Sequence, residues 1–228
     1  LPDAIPGMTA LNVAASMSGC AGQRCMAASA MIGVGNVDAI IDQICEEARK
    51  IIPGENLGAV INKESKERIE RYIGEAERDG AKILVDGRNA KVAGKENGTY
   101  VGPTVIDFVT PQMSVATEEI FGPVISIMRT KTVDEALAIE NANPYGNAAS
   151  VFTQNGAMAR YIIDHASAGM IGVNVGVPVP REPFSFGGWN ESKFGVGDIT
   201  GKSSIEFWTK LKKSTTKWNA EAGVNWMS

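Results

Sequence analysis

PVISIMRT (123–130), TVDEALAIENAN (132–143), AASVFT (148–153), NGAMARYIIDHASAG (155–169) and MIGVNVG (170–176) follow one another with little between them. The first, third and fifth are short apolar runs, bounded by turn residues, and read as strands. The second and fourth carry apolar residues at helical spacing. Thr132 is placed to cap the first of these helices, with Glu135 at the capping-box position. Pro144-Tyr145-Gly146 turns the chain between them. Strand, helix, strand, helix, strand is the signature of parallel crossover units. The expected fold class is therefore α/β, a parallel-rich open sheet with helices on both faces.

Working outward, AKILVD (81–86) reads as a strand and TYVGPTVIDFV (99–109) as extended chain broken by Gly102-Pro103. KESKERIERYIGEAERDG (63–80) is strongly amphipathic. Ile69, Tyr72, Ile73 and Ala76 share one face, and Gly80 suits the position just past the helix end. VDAIIDQICEEARKI (37–51) is a helix stopped by Pro53-Gly54, and MTALNVAASMS (8–18) is small, apolar and suited to a buried helix. Downstream, residues 176–198 are rich in Gly, Pro and aromatics and read as a long loop of the kind that is usually functional or partner-bound. SIEFWTKLKKSTTKW (204–218) alternates with period two and reads as a half-buried strand that completes a sheet in a neighbouring subunit. The expected organisation is an α/β domain over 1–198 and an oligomerisation strand and tail over 199–228.

Composition excludes several classes. With 228 residues, 44% hydrophobic, 21% charged and a formal net charge of -4, the chain is ordinary for a globular protein. No basic stripe stands out to neutralise phosphates, which argues against nucleic acid as a partner. No apolar run approaches the length of a membrane span. Three cysteines, Cys20, Cys25 and Cys45, form no disulfide framework and point to a reducing compartment. The single histidine, His165, rules out a His-rich metal site and reads as a surface or satisfied helical residue. Asn97-Gly98-Thr99 and Asn190-Glu191-Ser192 match the glycosylation sequon at the chance level such short motifs have. The chain opens on Leu1 with neither a signal nor a transit pattern, and reads as a piece or processed product of something longer.

Two clusters carry chemistry. In SGCAGQRCMA (18–27), Gly22 allows a tight turn beside Cys25 and Arg24 sets a fixed cation next to it, the surroundings a reactive thiolate needs. The alternative is a buried structural cysteine, the commoner fate of a free thiol. Cys20 and Cys45 lack such surroundings and read as packing. In EEIFGPV (118–124), a carboxylate precedes an aromatic and Gly-Pro just ahead of a strand. It could grip the vicinal hydroxyls of a ribose while the ring flanks a nicotinamide, or it could be a solvated Glu beside a core Phe.

Gly22-Gln23-Arg24-Cys25 and Glu118 to Val124 resemble two signatures of the aldehyde dehydrogenase superfamily. Asn143-Pro144-Tyr145-Gly146, Gly172-Val173-Asn174 and Phe186-Gly187-Gly188 resemble three more, in the expected order and over nearly the whole chain. GQRCMA and the run from Gly172 to the tail are similar to the CoA-acylating methylmalonate-semialdehyde branch. The resemblance implies that residues 1–198 are the catalytic domain, that the NAD-binding domain lies outside this chain, and that the enzyme is a homo-oligomer (dimer or tetramer). It implies Cys25 as nucleophile, Glu119 and Phe121 on the NAD cofactor, and Arg24 and Phe186 on a small semialdehyde. It implies a Cys25 thioester from methylmalonate or malonate semialdehyde, decarboxylation, and transfer to coenzyme A as propionyl-CoA or acetyl-CoA, in valine catabolism. The compartment implied is the cytoplasm or the mitochondrial matrix.

From the residues present, the acyl acceptor stays open between coenzyme A and water. A hydrolytic aldehyde dehydrogenase is the alternative within enzymes, and a non-catalytic assembly module the alternative outside them. Gly33-Val34-Gly35-Asn36-Val37-Asp38 begins like a dinucleotide fingerprint, but Asp38 stands where its third glycine belongs and no strand is expected before it.

Overall fold

The computed structural model describes residues 1–216 and Trp218. In chain order the elements are helix α1 (Pro6–Ser18), strand β1 (Ala30–Val34), α2 (Asp38–Arg49), α3 (Lys63–Arg78), β2 (Lys82–Val85) and β3 (Thr104–Asp107). There follow α4 (Ser114–Thr117), β4 (Val124–Thr130), α5 (Val133–Ala142), β5 (Tyr145–Gly146), β6 (Ala148–Val151) and α6 (Gly156–His165). The last are β7 (Met170–Val173), β8 (Trp189–Asn190) and α7 (Gly201–Trp208).

Four strands form the main sheet in the order β1-β4-β3-β2. β4 runs parallel to β1, with Ala30 opposite Ser126, and parallel to β3, with Thr104 opposite Val124. β2 closes the far edge antiparallel to β3. β4 is central, and Val124 to Met128 are all buried, which explains why that segment is almost uninterrupted hydrophobic sequence. Alternate residues face opposite cores. Ile125, Ile127 and Val105 pack with Val13, Met17, Ile41 and Ile44 of α1 and α2. Val124, Met128 and Ile106 pack with Ile69, Ile73 and Ala76 of α3. Helices thus cover both faces, as expected for a parallel-rich α/β sheet.

The local signals hold in detail. Thr132 accepts from the Glu135 backbone and Glu135 reaches back, so the capping box at α5 is complete. Gly80 sits just beyond α3 with φ +99°. His165 is exposed at the end of α6, with its Nδ1 2.7 Å from the Tyr161 carbonyl.

Three expectations need correction. The strand β1 was not expected, so a strand does precede Gly33–Asp38. Only the missing third glycine now speaks against a phosphate loop there. Second, β4 and β6 do not share a sheet. β6 and β7 pair parallel to each other, with α6 as their crossover, and stand apart from the main sheet. Side chains from the N-terminal segment bind the two parts instead. The Asp3 carboxylate accepts from the Thr153 hydroxyl (2.7 Å) and the Gln154 backbone (2.9 Å), and Ser16 Oγ donates to the Gly176 carbonyl (2.9 Å).

Third, residues 201–208 are a helix, not a strand, and 209–216 form no regular element. A strand must pair with a neighbour to satisfy its backbone. A helix satisfies its own, so a segment with no adjacent strand edge coils. Ile205, Phe207, Trp208 and Leu211 are exposed there. The end of the expected 204–218 strand at Lys217, and residues 219–228, lie outside the described residues. Among the described residues no helix is long and apolar enough to cross a membrane.

One carboxylate gives the fold a pH signature. Glu140 is half-buried on α5 and accepts from the Ser167 backbone at 3.0 Å, and burial pushes its pKa up. A carboxyl whose folded-state pKa is raised leaves stability intact below its ordinary range, and stability falls as pH rises toward the raised value. Glu140→Gln keeps an acceptor for Ser167 without the charge. Urea unfolding across pH should show the variant gaining on the parent as pH rises from acid to neutral. Parallel profiles for the two proteins would contradict this role.

Candidate active site

Past the last turn of α1, the chain enters a tight turn at Gly19–Gly22. Cys20, Ala21 and Gly22 all have positive φ, at +54°, +55° and +69°. Only glycine takes this conformation freely, so Cys20 and Ala21 are held there by their surroundings. The reason lies across the site. A Cβ placed on Gly22 would overlap the Gly122 carbonyl and sit 2.7 Å from Pro123 N. Gly22 was expected to allow a tight turn beside Cys25; it does, and it also lets the cysteine loop lie directly on the Gly122-Pro123 backbone.

Gln23 stitches the same junction. Its Oε1 accepts from the Ile61 backbone (2.9 Å) and its Nε2 donates to the Phe121 carbonyl (3.4 Å). The two sequence clusters, 18–27 and 118–124, therefore meet through backbone contact and one side-chain amide. Phe121 is half-buried with φ +53°, and Glu119 is exposed, with Arg68 donating to its carbonyl at 3.2 Å. The Glu119 carboxylate itself has no hydrogen-bond partner among the described residues, and both its oxygens are free to accept.

Cys25 is exposed. Arg24 folds back onto the end of α1, where Nη2 donates to the carbonyls of Ala15 and Ser16, each at 3.2 Å. A guanidinium suits this place, because the last carbonyls of a helix lack partners and carry its negative end. Nε of Arg24 is buried without a partner, and Nη1 makes no hydrogen bond among the described residues. Cys45 is buried, and burial raises its thiol pKa, as a packing cysteine requires. Cys20 was also read as packing, yet it is exposed. The left-handed turn points it away from the core, and nothing in the residue types around it announces that.

The remaining landmarks lie on the β6–β7 part and the loop that follows it. Gly169, Gly187 and Gly188 approach one another so closely that a Cβ on Gly169 would meet Gly187 O at 2.6 Å. Phe186 is half-buried, its N–H donating to Thr200 Oγ1 at 2.8 Å. Asn174 clamps Thr153 with both amide atoms, at 3.0 and 2.9 Å, and so closes the β6–β7 pair. Sequence reasoning missed two ties. Ser16, fully buried, accepts from Ala28 N (3.1 Å) while donating to Gly176 O. Asn147 donates to the Cys25 carbonyl at 3.0 Å. Asn147 directly follows the Asn-Pro-Tyr-Gly element, which was the available signal. Ser16 in a small-residue helix gave none.

The aldehyde dehydrogenase family model matches residues 3–214. The chain is 43% identical, over 97% of its length, to the acylating, mitochondrial methylmalonate-semialdehyde/malonate-semialdehyde dehydrogenase of Rattus norvegicus, of which it covers 42%. The Bos taurus counterpart is 44% identical over the same shares. Methylmalonate-semialdehyde dehydrogenase from Oceanimonas doudoroffii superposes with a TM-score of 0.93 at 38% identity, over 96% of this chain and 47% of that one. The NAD+ complex of aldehyde dehydrogenase from Bacillus cereus superposes at 0.82 and 27% identity, over 93% and 43%. The chain thus spans less than half the length of the relatives it matches.

Gly22→Ala should destabilise the protein by about 2–4 kcal/mol, combining a left-handed backbone with a backbone clash. Gly156→Ala, where a Cβ meets nothing within 4 Å, should stay within about 1 kcal/mol of the parent. Chemical denaturation compares them. Equal effects would remove the Gly22–Gly122 junction from the account.

Proposed function

Because the chain belongs to the aldehyde dehydrogenase family, we propose that it supplies the nucleophile-bearing part of an NAD-dependent, CoA-acylating oxidation of malonate or methylmalonate semialdehyde. One observation supports this most. An exposed cysteine stands on a loop locked, through Gly22 and Gln23, against the segment that carries Glu119 and Phe121.

The Cys25 thiolate adds to the aldehyde carbon, and the Cys25 backbone N–H provides one hydrogen bond to the developing oxyanion. When bound, NAD supplies the hydride acceptor. Glu119 fits the ribose of that cofactor by its chemistry, since an exposed carboxylate with two free oxygens matches a vicinal diol. Phe121 lines the ring, and Phe186 borders the substrate. Oxidation leaves an acyl thioester on Cys25, whose substrate-derived carboxylate lies β to the thioester carbonyl. Loss of carbon dioxide then leaves an enolate stabilised by that carbonyl. The thiol of coenzyme A displaces Cys25 and regenerates it.

Arg24 serves the substrate carboxylate through Nη1, with Nη2 anchored to α1. With Nη2 held by the end of α1, that leaves a single oriented donor for the carboxylate. The exposed Ile205, Phe207 and Trp208 of α7 support assembly into a homo-oligomer, and the mitochondrial location of the Rattus norvegicus relative supports a mitochondrial rather than a cytoplasmic compartment.

This chain by itself is expected to be inactive, so the test mixes the intact enzyme that contains it with NAD, malonate semialdehyde and coenzyme A. NADH and acetyl-CoA should form together, and Cys25→Ser should abolish both. Acetate in place of acetyl-CoA would move the reaction to the hydrolytic class. No NADH from the protein containing this chain would leave it an assembly module.

A further inference from the structure

Residues 24–27 form a β-turn, closed by Ala27 N donating to Arg24 O at 3.1 Å, with Cys25 and Met26 at its centre. The turn is clamped on both sides. Gln23 holds its entry to Ile61 and Phe121, and Ser16 Oγ holds its exit at Ala28 N. Between these clamps one peptide is left out of the turn's own hydrogen bond, that joining Cys25 to Met26. In a β-turn this central peptide tilts or inverts with little movement of the flanking chain, by rotation about the Cα–C bond of the first central residue, which moves the peptide's C=O and N–H relative to that residue's side chain. Which end of this peptide's dipole lies toward the Cys25 sulfur therefore depends on what holds the Cys25 carbonyl.

The Asn147 side chain holds it. Nδ2 donates to Cys25 O at 3.0 Å and lies 3.4 Å from Met26 Sδ. Asn147 is itself fixed from behind. Gly146, its neighbour, donates to Ser192 Oγ at 3.1 Å and accepts from Gly169 N at 3.0 Å. Gly188 packs so close that a Cβ there would lie 3.1 Å from Asn147 Cα. One carboxamide thus joins the nucleophile's peptide to the 186–192 loop that carries Phe186.

We propose that Asn147 is a positioning residue that sets the orientation of the Cys25–Met26 peptide, and through it the peptide dipole that the Cys25 thiolate meets and its response to the 186–192 loop. The claim about catalysis rests on the reading of Cys25 as nucleophile. The claim about the peptide does not.

Cys-Met occurs once in the chain. Labelling cysteine with carbonyl 13C and methionine with 15N therefore gives a single NMR cross-peak, from this peptide. Asn147→Asp keeps the size but turns the donor into an acceptor that repels Cys25 O, and it should move that cross-peak. Asn147→Ala should broaden or move it. In the NADH assay both variants should lose roughly tenfold or more in kcat, with the KM for semialdehyde changing by less than about threefold. Iodoacetamide should still alkylate Cys25, showing the thiol present and accessible. Asn147→Gln, which keeps a donor, should recover part of the loss. A cross-peak unmoved in the Asp and Ala variants overturns the proposal, as does a parental kcat in both. If the parent protein makes no NADH, the functional reading fails by itself, and the cross-peak still decides the role of Asn147.

Discussion

Everything at the candidate site depends on two backbones touching where no side chain can stand between them. Gly22 and Gly122 meet at van der Waals limits, so the cysteine loop and the segment carrying Glu119 and Phe121 behave as one body. That contact forces the chain through three consecutive left-handed residues, two of them not glycine. Such strain persists only where the surroundings over-determine it. Here the surroundings are the buried end of α1, the Gln23 amide and the start of β4. The main sheet supports both partners. β4 begins immediately after Pro123, and β1 begins shortly after Cys25, side by side and parallel. The register of one strand pair thus sets the distance between the cysteine loop and the Glu119 segment.

Most of the architecture was legible because local signals and global fold agree. The VISIM run of β4 is apolar on both faces because it is central. The Thr132–Glu135 box starts α5, and Gly80 ends α3. β1 escaped notice because AMIGV follows a run of small residues, with no polar alternation to set it off. The tail misled for the opposite reason. Its period-two pattern is genuine, but a strand needs a neighbour, and without one the 201–208 segment satisfies its backbone as a helix.

The site was legible as residue types and not as roles. Cys25, Glu119 and Phe121 stand out as a thiol beside a cation and a carboxylate beside an aromatic, and the fold brings their two segments into contact at Gly22 and Gln23. What sequence could not show is how Arg24 is used, because its anchor is a pair of main-chain carbonyls with no side-chain signature. Asn147 and Ser16 act the same way, through backbone atoms far apart in sequence. Residues that work by holding main chain leave little trace in a pattern of residue types. They also divide labour here: Ser16 and Gln23 fix the ends of the Cys25 turn, and Asn147 fixes its middle.

The claim on which the account turns is that Cys25, and not Cys20, which is also exposed, becomes acylated. Trypsin cuts after Arg24 and so places these two thiols on different peptides, with Cys45 separated from Cys25 by fragmentation. The intact enzyme that contains this chain is mixed with NAD and malonate semialdehyde without coenzyme A, quenched in acid, digested and mapped by mass spectrometry. The account predicts an acyl group on Cys25 that disappears when coenzyme A is added before the quench. An acyl group on Cys20 or Cys45, with Cys25 unmodified, would contradict it.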